Sequence, residues 1–230
     1  MGRHTLEGNP SIVVELRRTA RARRLSLRVS RLDGRVTLTM PPMTPDREAF
    51  AFAKAQENWL RGHLAQLEPA EQVAIGGTLL LRGQKLPVRH ADVSRLKIGN
   101  DAILVPQGRA LNRAALQAAL RVLARNALAT ASDTYAARLG VSYTRLTIRD
   151  TRSRWGSCSS AGALMYAWRL IMAPPAVLDY VAAHEVAHLR EMNHGPDFWA
   201  LVAALCPDYA AHRDWLRQNG DQLHRMRFDD

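Results

Sequence analysis

Residues 174–199 read PPAVLDYVAAHEVAHLREMNHGPDFW. Pro174-Pro175 opens a helix, and helical spacing carries on through His184 and His188 to about Met192. Histidines four apart share one helix face, with Cβ atoms about 6 Å apart, so both imidazoles reach one ion. In a chain with eight histidines, chance supplies an HExxH string in about one such sequence in a hundred. The string therefore needs a third donor, because a catalytic zinc takes three protein ligands and keeps its fourth position open. His194 is the best candidate: Asn193 is able to take the left-handed turn that ends a helix and Gly195-Pro196 starts the next, so the break folds a ligand back toward the metal. Glu191 lies on the same face but a turn beyond His188, while Asp208 and His212 sit on later helices. Glu185, next to the first ligand, is placed to act as general base on a metal-activated water and to return the proton to a leaving amine. His63 and His90 read as ordinary surface or capped side chains.

Working outward, Thr144 to Arg149 and Ala163 to Ile171 read as strands around the small-residue stretch WGSCSS at 155–160. Residues 110–138 form an alanine- and leucine-rich helix stopped at Gly140, and Pro196 and Pro207 open two more. Leu79–Leu81, Leu86–His90, Arg95–Ile98 and Ala102–Val105 read as short strands with turns at Arg82-Gly83 and Gly99-Asn100. Period-two alternation in Leu25–Val29 and Val36–Met40, joined by Asp33-Gly34, predicts a hairpin. Residues 46–67 predict one amphipathic helix burying Phe50, Ala53, Trp59, Leu60, Leu64 and Leu67. No internal repeat is evident. The expected class is α+β: an N-terminal β-rich module with one helix over 1–108, then a metal-binding domain over 109–230 with a short sheet and the HExxH helix.

The chain has 230 residues, 47% hydrophobic and 23% charged, which excludes disorder and a disulfide-stapled miniprotein. No apolar run is long enough for a membrane helix and the start lacks a signal-peptide pattern, so the expectation is a cytoplasmic protein with no membrane partner. Two cysteines, Cys158 and Cys206, cannot hold zinc by themselves. The net charge is +11, and all but Lys54, Lys85 and Lys97 of the 32 basic residues are arginine. Between 17 and 35 stand Arg17, Arg18, Arg21, Arg23, Arg24, Arg28, Arg31 and Arg35 against the lone acid Asp33. Such a cluster suits phosphates; an arginine-preferring genome would produce the same bias.

WGSC at 155–158, the stretch MYAWRLIMAPPAVLDYVAAHEVAHLREMNHGPDFW at 165–199 and PDYAAHRDWL at 207–216 together resemble the YgjP-like metallopeptidase domain, a relative of the SprT-like zinc proteases. The resemblance spans roughly residues 10–225 and is strongest after 144. It implies one Zn2+ held by His184, His188 and His194, with Glu185 catalytic, a polypeptide substrate, and a minimal zincin-like (gluzincin-like) fold. The spacing to His194 also equals that of metzincins, except that Glu191 stands where they need glycine. The resemblance further suggests that a strand around Leu164 to Leu170 forms the upper edge of a cleft lined by Trp155, Tyr166, Trp168 and Arg169, with Tyr166 or Arg169 steadying an oxyanion. Core packing is the other reading of those aromatics, and Phe198 and Trp199 read as core. Cys158 reads as a packed thiol. Because some SprT-like relatives degrade DNA-attached proteins, DNA proximity through 17–35 is a further expectation. Two rival functions stand beside the peptidase: a nucleic-acid- or protein-binding module with a structural metal, which has no need of Glu185, and a zinc hydrolase of a non-peptide amide.

Overall fold

A computed structural model describes residues 2–30, 33–67 and 69–228, in two compact units, Met1–Ala70 and Glu71–Asp230. The first unit holds strands β1 (Gly2–Leu6), β2 (Ile12–Arg18), β3 (Ser26–Val29) and β4 (Val36–Met40). They are ordered β1-β2-β4-β3, with an inner parallel pair and antiparallel outer pairs. Alternation puts Ile12, Val14 and Leu16 with Val36, Leu38 and Met40 on one buried face. The predicted hairpin joins β3 to β4: Gly34 at φ +68° takes the left-handed position, and Ser30 N–H donates to Arg35 O at 2.8 Å.

The single helix read over 46–67 is two, α1 (Asp46–Ala55) and α2 (Glu57–Ala65). They break at Gln56, whose N–H is shared between Phe52 O and Ala53 O at 3.2 Å each. Ala49, Ala53 and Leu60 join the sheet's core, whereas Trp59 stays 41% exposed; adjacent helical residues point about 100° apart, so Leu60 and Trp59 cannot both face the sheet. In the basic stretch, Arg24 precedes β3, which carries Arg28. Arg18 is spent on Pro42 O, Thr44 O and Asp46, and Arg31 lies outside the described residues.

The second unit begins with β5 (Glu71–Gln72), β6 (Thr78–Leu81), β7 (Gln84–Ala91), β8 (Lys97–Ile98) and β9 (Ile103–Pro106). Its sheet β6-β7-β9-β8 repeats the order and strand senses of the first unit's sheet, a repeat the sequence does not announce. Next come α3 (Arg113–Leu139), β10 (Arg145–Arg149), β11 (Gly156–Cys158), β12 (Ala163–Ala167), a 3₁₀ turn at Trp168–Met172, α4 (Pro175–Ala187), α5 (Pro196–Leu205), α6 (Tyr209–Arg225) and β13 (Met226–Arg227), which runs parallel to β5. Asn112 caps α3 by accepting Ala115 N–H at 2.9 Å, and Gly140 at φ +64° ends it.

The division after Ala70 differs from the boundary read near 108. Leu79, Leu81, Leu86, Val88, Ile103 and Val105 lie in one buried cluster with Leu116, Leu120, Leu128 and the residues of α4. The turn Arg82-Gly83 is also tied to the 3₁₀ segment, its two N–H groups donating to Ile171 O and Met172 O at 2.9 Å. Pro106-Gln107-Gly108 is therefore a turn inside one core, not a domain boundary.

The third sheet corrects another expectation. Its order is β10-β12-β11, so the strand at 163–167 is central, flanked by parallel β10 and antiparallel β11, and residues 168–172 leave it as a 3₁₀ turn. The edge strands are β10 and β11, and β11 is the one that packs against α4. Trp155 O accepts from Ala167 N–H at 2.8 Å and Ser159 N–H donates to Ala163 O at 3.0 Å. Odd-numbered main-chain groups thus face β12, and those of Gly156 and Cys158 face the free edge.

Candidate metal centre

Helix α4 runs to Ala187 with His188 as its cap at φ −63°, ψ −18°, still helical geometry, so the two histidines of the motif keep their four-residue spacing on one face. The helix ends there, earlier than about Met192. Leu189 and Arg190 N–H groups donate to Val186 O and Ala187 O at 3.0 Å, closing a tight final turn. Arg82 is the only non-glycine residue with positive φ among those described, so Asn193 does not make the left-handed turn; the reversal falls on the 189–191 turn and on Gly195, whose extended backbone precedes Pro196.

That reversal brings His194 back over α4. His184 Nε2 and His194 Nε2 face each other at 3.2 Å, and one ligand atom from each of His184, His188 and His194 lies within 4.8 Å of the others. Two nitrogens bound tetrahedrally to zinc at about 2.0–2.1 Å would be about 3.3 Å apart, so the observed pair already spans one edge of such a site. His188 Nδ1 meets Glu191 O at 2.9 Å; as donor there it leaves Nε2 with its lone pair, the tautomer a metal takes. Glu191 thus contributes its carbonyl. Phe198, fully buried, floors the group with its ring 4.9 Å from His184, 4.4 Å from His188 and 4.8 Å from His194. His184 Nδ1 is buried without a hydrogen-bond partner among the described residues, and its ring is held by Tyr180 and Phe198.

Burial, together with His188, His194 and Arg213, pushes His184 down to about 3, and burial also lowers His188. Both shifts favour the neutral imidazole, the form a metal ligand must take. Glu185 is 5% exposed. Burial pushes its carboxyl up to about 8 against the pull of Arg154 and a hydrogen bond from the Cys158 backbone; a cation placed beside it favours the carboxylate. Three imidazole nitrogens converging next to a buried acid fit a divalent metal. Among the described residues no other such group of three occurs, and Asp208 and His212 do not join this one.

Beside the histidines lies a pocket of about 210 Å³ lined by Trp155, Gly156, Tyr180, His184, Glu185 and Leu216. Trp155, read as a cleft residue, is there, half-buried against His224 with ring centroids 4.9 Å apart. The other three are elsewhere. Tyr166 is fully buried in the core, its hydroxyl 3.0 Å from Ser132 Oγ, and Trp168 is fully buried against Phe228. Arg169 Nε donates to Asp150 at 2.8 Å, while Nη1 donates to Leu223 O and Met226 O at 2.9 and 3.0 Å. Burial alone would raise the Asp150 carboxyl, yet Arg169 holds it below its ordinary range. Arg169 therefore clamps the end of α6.

Arg169→Ala should cost about 3 kcal/mol by stranding Asp150 and two carbonyls, lowering the unfolding midpoint by about 6–12 °C. An unchanged midpoint in a calorimetric scan would contradict the clamp.

Sequence reasoning missed Gly156, Tyr180, Leu216 and the role of Phe198. Only Gly156 left a signal, as the glycine of WGSC: a Cβ there would sit 2.5 Å from Glu185 Oε1 and 2.6 Å from its Cγ, so β11 passes the acid at a distance only glycine permits. Cys158 is half-buried and its thiol is pushed up by burial and then by Glu185.

The chain matches the family described as YgjP-like, metallopeptidase domain, over residues 23–219. Comparison with curated proteins and with solved structures finds no match. No helix among the described residues is long and apolar enough to cross a membrane. With the match running through most of the first unit and all the elements that carry the three histidines, the chain belongs to the YgjP-like metallopeptidase domain family.

Proposed function

We propose that the protein is a zinc-dependent peptidase in which His184, His188 and His194 hold one metal ion and Glu185 is the general base. The observation that carries this reading is the convergence of the three imidazoles within 4.8 Å directly beside the buried Glu185. A closed structural site would take a fourth protein ligand; three donors leave a position for water and substrate. That favours an enzyme over a binding module with a structural metal. When bound, zinc supplies Lewis acidity, lowering the pKa of a coordinated water toward about 7 and polarising the scissile carbonyl.

Glu185 takes the proton of the attacking water as its oxygen bonds to the carbonyl carbon, and delivers it to the nitrogen as the C–N bond breaks. The Cys158 backbone N–H and the close passage of Gly156 fix the carboxyl's orientation. The substrate lies extended along the free edge of β11, where Gly156 offers main-chain groups for strand addition. Trp155 and Tyr180 form the pocket walls. This edge replaces the strand at Leu164–Leu170 in the substrate-binding role.

The test is the release of new amino groups from unfolded casein by the zinc-loaded chain, abolished by phenanthroline and restored by zinc. Cleavage of small non-peptide amides with casein left intact would favour the hydrolase of another substrate class. A second test uses the close glycine. Gly156→Ala should keep zinc, lower the unfolding midpoint by a few degrees because its Cβ crowds the buried Glu185, and lose about 10²-fold in turnover, since a displacement of about 1 Å in a catalytic group costs that much; parent-level turnover would remove Gly156 from the positioning of Glu185.

A further inference from the structure

Two features that cost the fold stability line one cavity of the second unit, of about 460 Å³. The first is Arg82, at the tip of the β6–β7 hairpin, whose φ of +51° puts a side chain in the left-handed region that glycine normally takes. Its surroundings enforce that conformation. The N–H groups of Arg82 and Gly83 donate to Ile171 O and Met172 O at 2.9 Å, and a Cβ on Gly83 would lie 3.0 Å from Pro174 Cγ, so the tip has no room to relax.

The second is Asp179 of α4, in the same lining and half-buried. No ion pair or hydrogen bond among the described residues engages its carboxylate, and Arg82 does not pair with it. Burial pushes that carboxyl up, with His212 opposing; a partly buried acid without a partner is unusual because desolvation is left unanswered. Between the two charges runs a stripe of α3 side chains four residues apart, Leu123, Ala127, Ala131 and Tyr135, packed into the main core. The cavity shares no lining residue with the metal pocket. Asp179 stands five residues before His184, about 140° away around the helix, so it faces a different side of α4.

We propose that this cavity binds a zwitterionic ligand of the amino-acid or short-peptide class, its carboxylate on Arg82, its ammonium on Asp179 and an apolar side chain on the α3 stripe. A guanidinium fork matches a carboxylate bidentately, and a carboxylate takes the charge-assisted hydrogen bonds of an ammonium. Charge sign narrows the class. A simple anion is repelled by Asp179 and a simple cation by Arg82, whereas one molecule carrying both charges satisfies the two groups that the fold leaves apart. The volume falls in the range of about 300–1,000 Å³ typical of small-molecule sites, and an apolar floor with a few polar groups at its rim is the usual make-up of such a site. The strain at Arg82 and the unpaired Asp179 are then stability given up for binding. The site depends neither on the metal nor on the peptidase reading.

Isothermal titration of the full chain tests the proposal, with phenanthroline present so that no probe is cleaved or held at the metal centre. The probes are leucine, the tripeptide Ala-Leu-Ala, its N-acetyl form, which lacks the ammonium, and its C-terminal amide, which lacks the carboxylate. Either block should weaken binding of the tripeptide at least about tenfold, the loss of one charge-assisted contact. Arg82→Gly should weaken the free tripeptide by the same factor yet leave the amide within about twofold, and Asp179→Asn should do likewise with the acetyl form, because a contact already removed cannot be lost twice. Arg121→Gln, exposed on α3 outside the cavity, should change nothing. Neither cavity variant should unfold below the parent's midpoint, since each removes a strained or unpaired group. A tripeptide bound far more tightly than leucine identifies a peptide as the occupant; equal binding identifies a free amino acid. Should a variant fail to fold, free against blocked probes on the parent decide alone. Blocked probes bound as well as free ones, equal weakening of all probes by a variant, or no binding of leucine or tripeptide at millimolar concentration overturns the proposal.

Discussion

Glu185→Gln is expected to keep its zinc and its fold while casein hydrolysis falls by about 10²–10⁴-fold, the usual contribution of a general base. The substitution changes almost nothing in volume, and the amide can still accept the hydrogen bond from the Cys158 backbone that the carboxyl accepts. It cannot take a proton. Because Glu185 is buried beside the three histidines and does not join their group, metal content separates the two roles: zinc per chain should match the parent while turnover collapses. Equal turnover in variant and parent would remove the acid from the mechanism and favour a binding module with a structural metal. Loss of zinc together with activity would show Glu185 to be a ligand.

His194→Ala should weaken zinc retention by more than about 100-fold, beyond the 10–100-fold that loss of a mere outer partner costs. The two histidines of α4 are preorganised by one helix and survive the change, but they supply only two donors. His194 reaches the site through a turn and the Gly195-Pro196 junction, and its removal leaves the helices and the core cluster untouched, since the side chain is exposed and, among the described residues, its ring meets the rings of His184, His188, Phe198 and Trp199. The variant should therefore unfold near the parent's metal-free midpoint. Competition against a chromogenic chelator measures the effect, with His212→Ala and Asp208→Ala as the comparison. Undiminished retention in His194→Ala, or a comparable loss in either of the others, would move the third ligand elsewhere.

What sequence makes legible here is local. The hairpin at Asp33-Gly34, the Gly140 stop and the spacing of His184 and His188 each depend on residues within one turn or one strand pair, and the structure has them where the spacing puts them. The return of His194 toward His184 was readable because a Gly-Pro junction directly after it limits where the chain can go. The failures are long-range. Alternation in Ala163–Ala167 is the same for a central strand as for an edge strand, so nothing local shows that β11 and β10 flank it. Arg169 reads as an available cation until carbonyls 54 and 57 residues away are seen to hold it, and Tyr166 reads as a cleft residue until Ser132 of α3 is seen to meet its hydroxyl. The boundary near 108 failed for the same reason: Pro106-Gln107-Gly108 has linker chemistry, but the strands before it bury their leucines against α3. Gly156 matters only because Glu185, on another element, comes within contact of it.

In the proposed reading one zinc, held by three histidines, makes this chain a peptidase. Chelator-stripped protein titrated with zinc, with casein hydrolysis measured at each addition, tests it most directly. Activity should rise in proportion to added metal and break at one equivalent per chain, with no turnover from the stripped protein. Hydrolysis already complete without metal, or none at one equivalent, would contradict it.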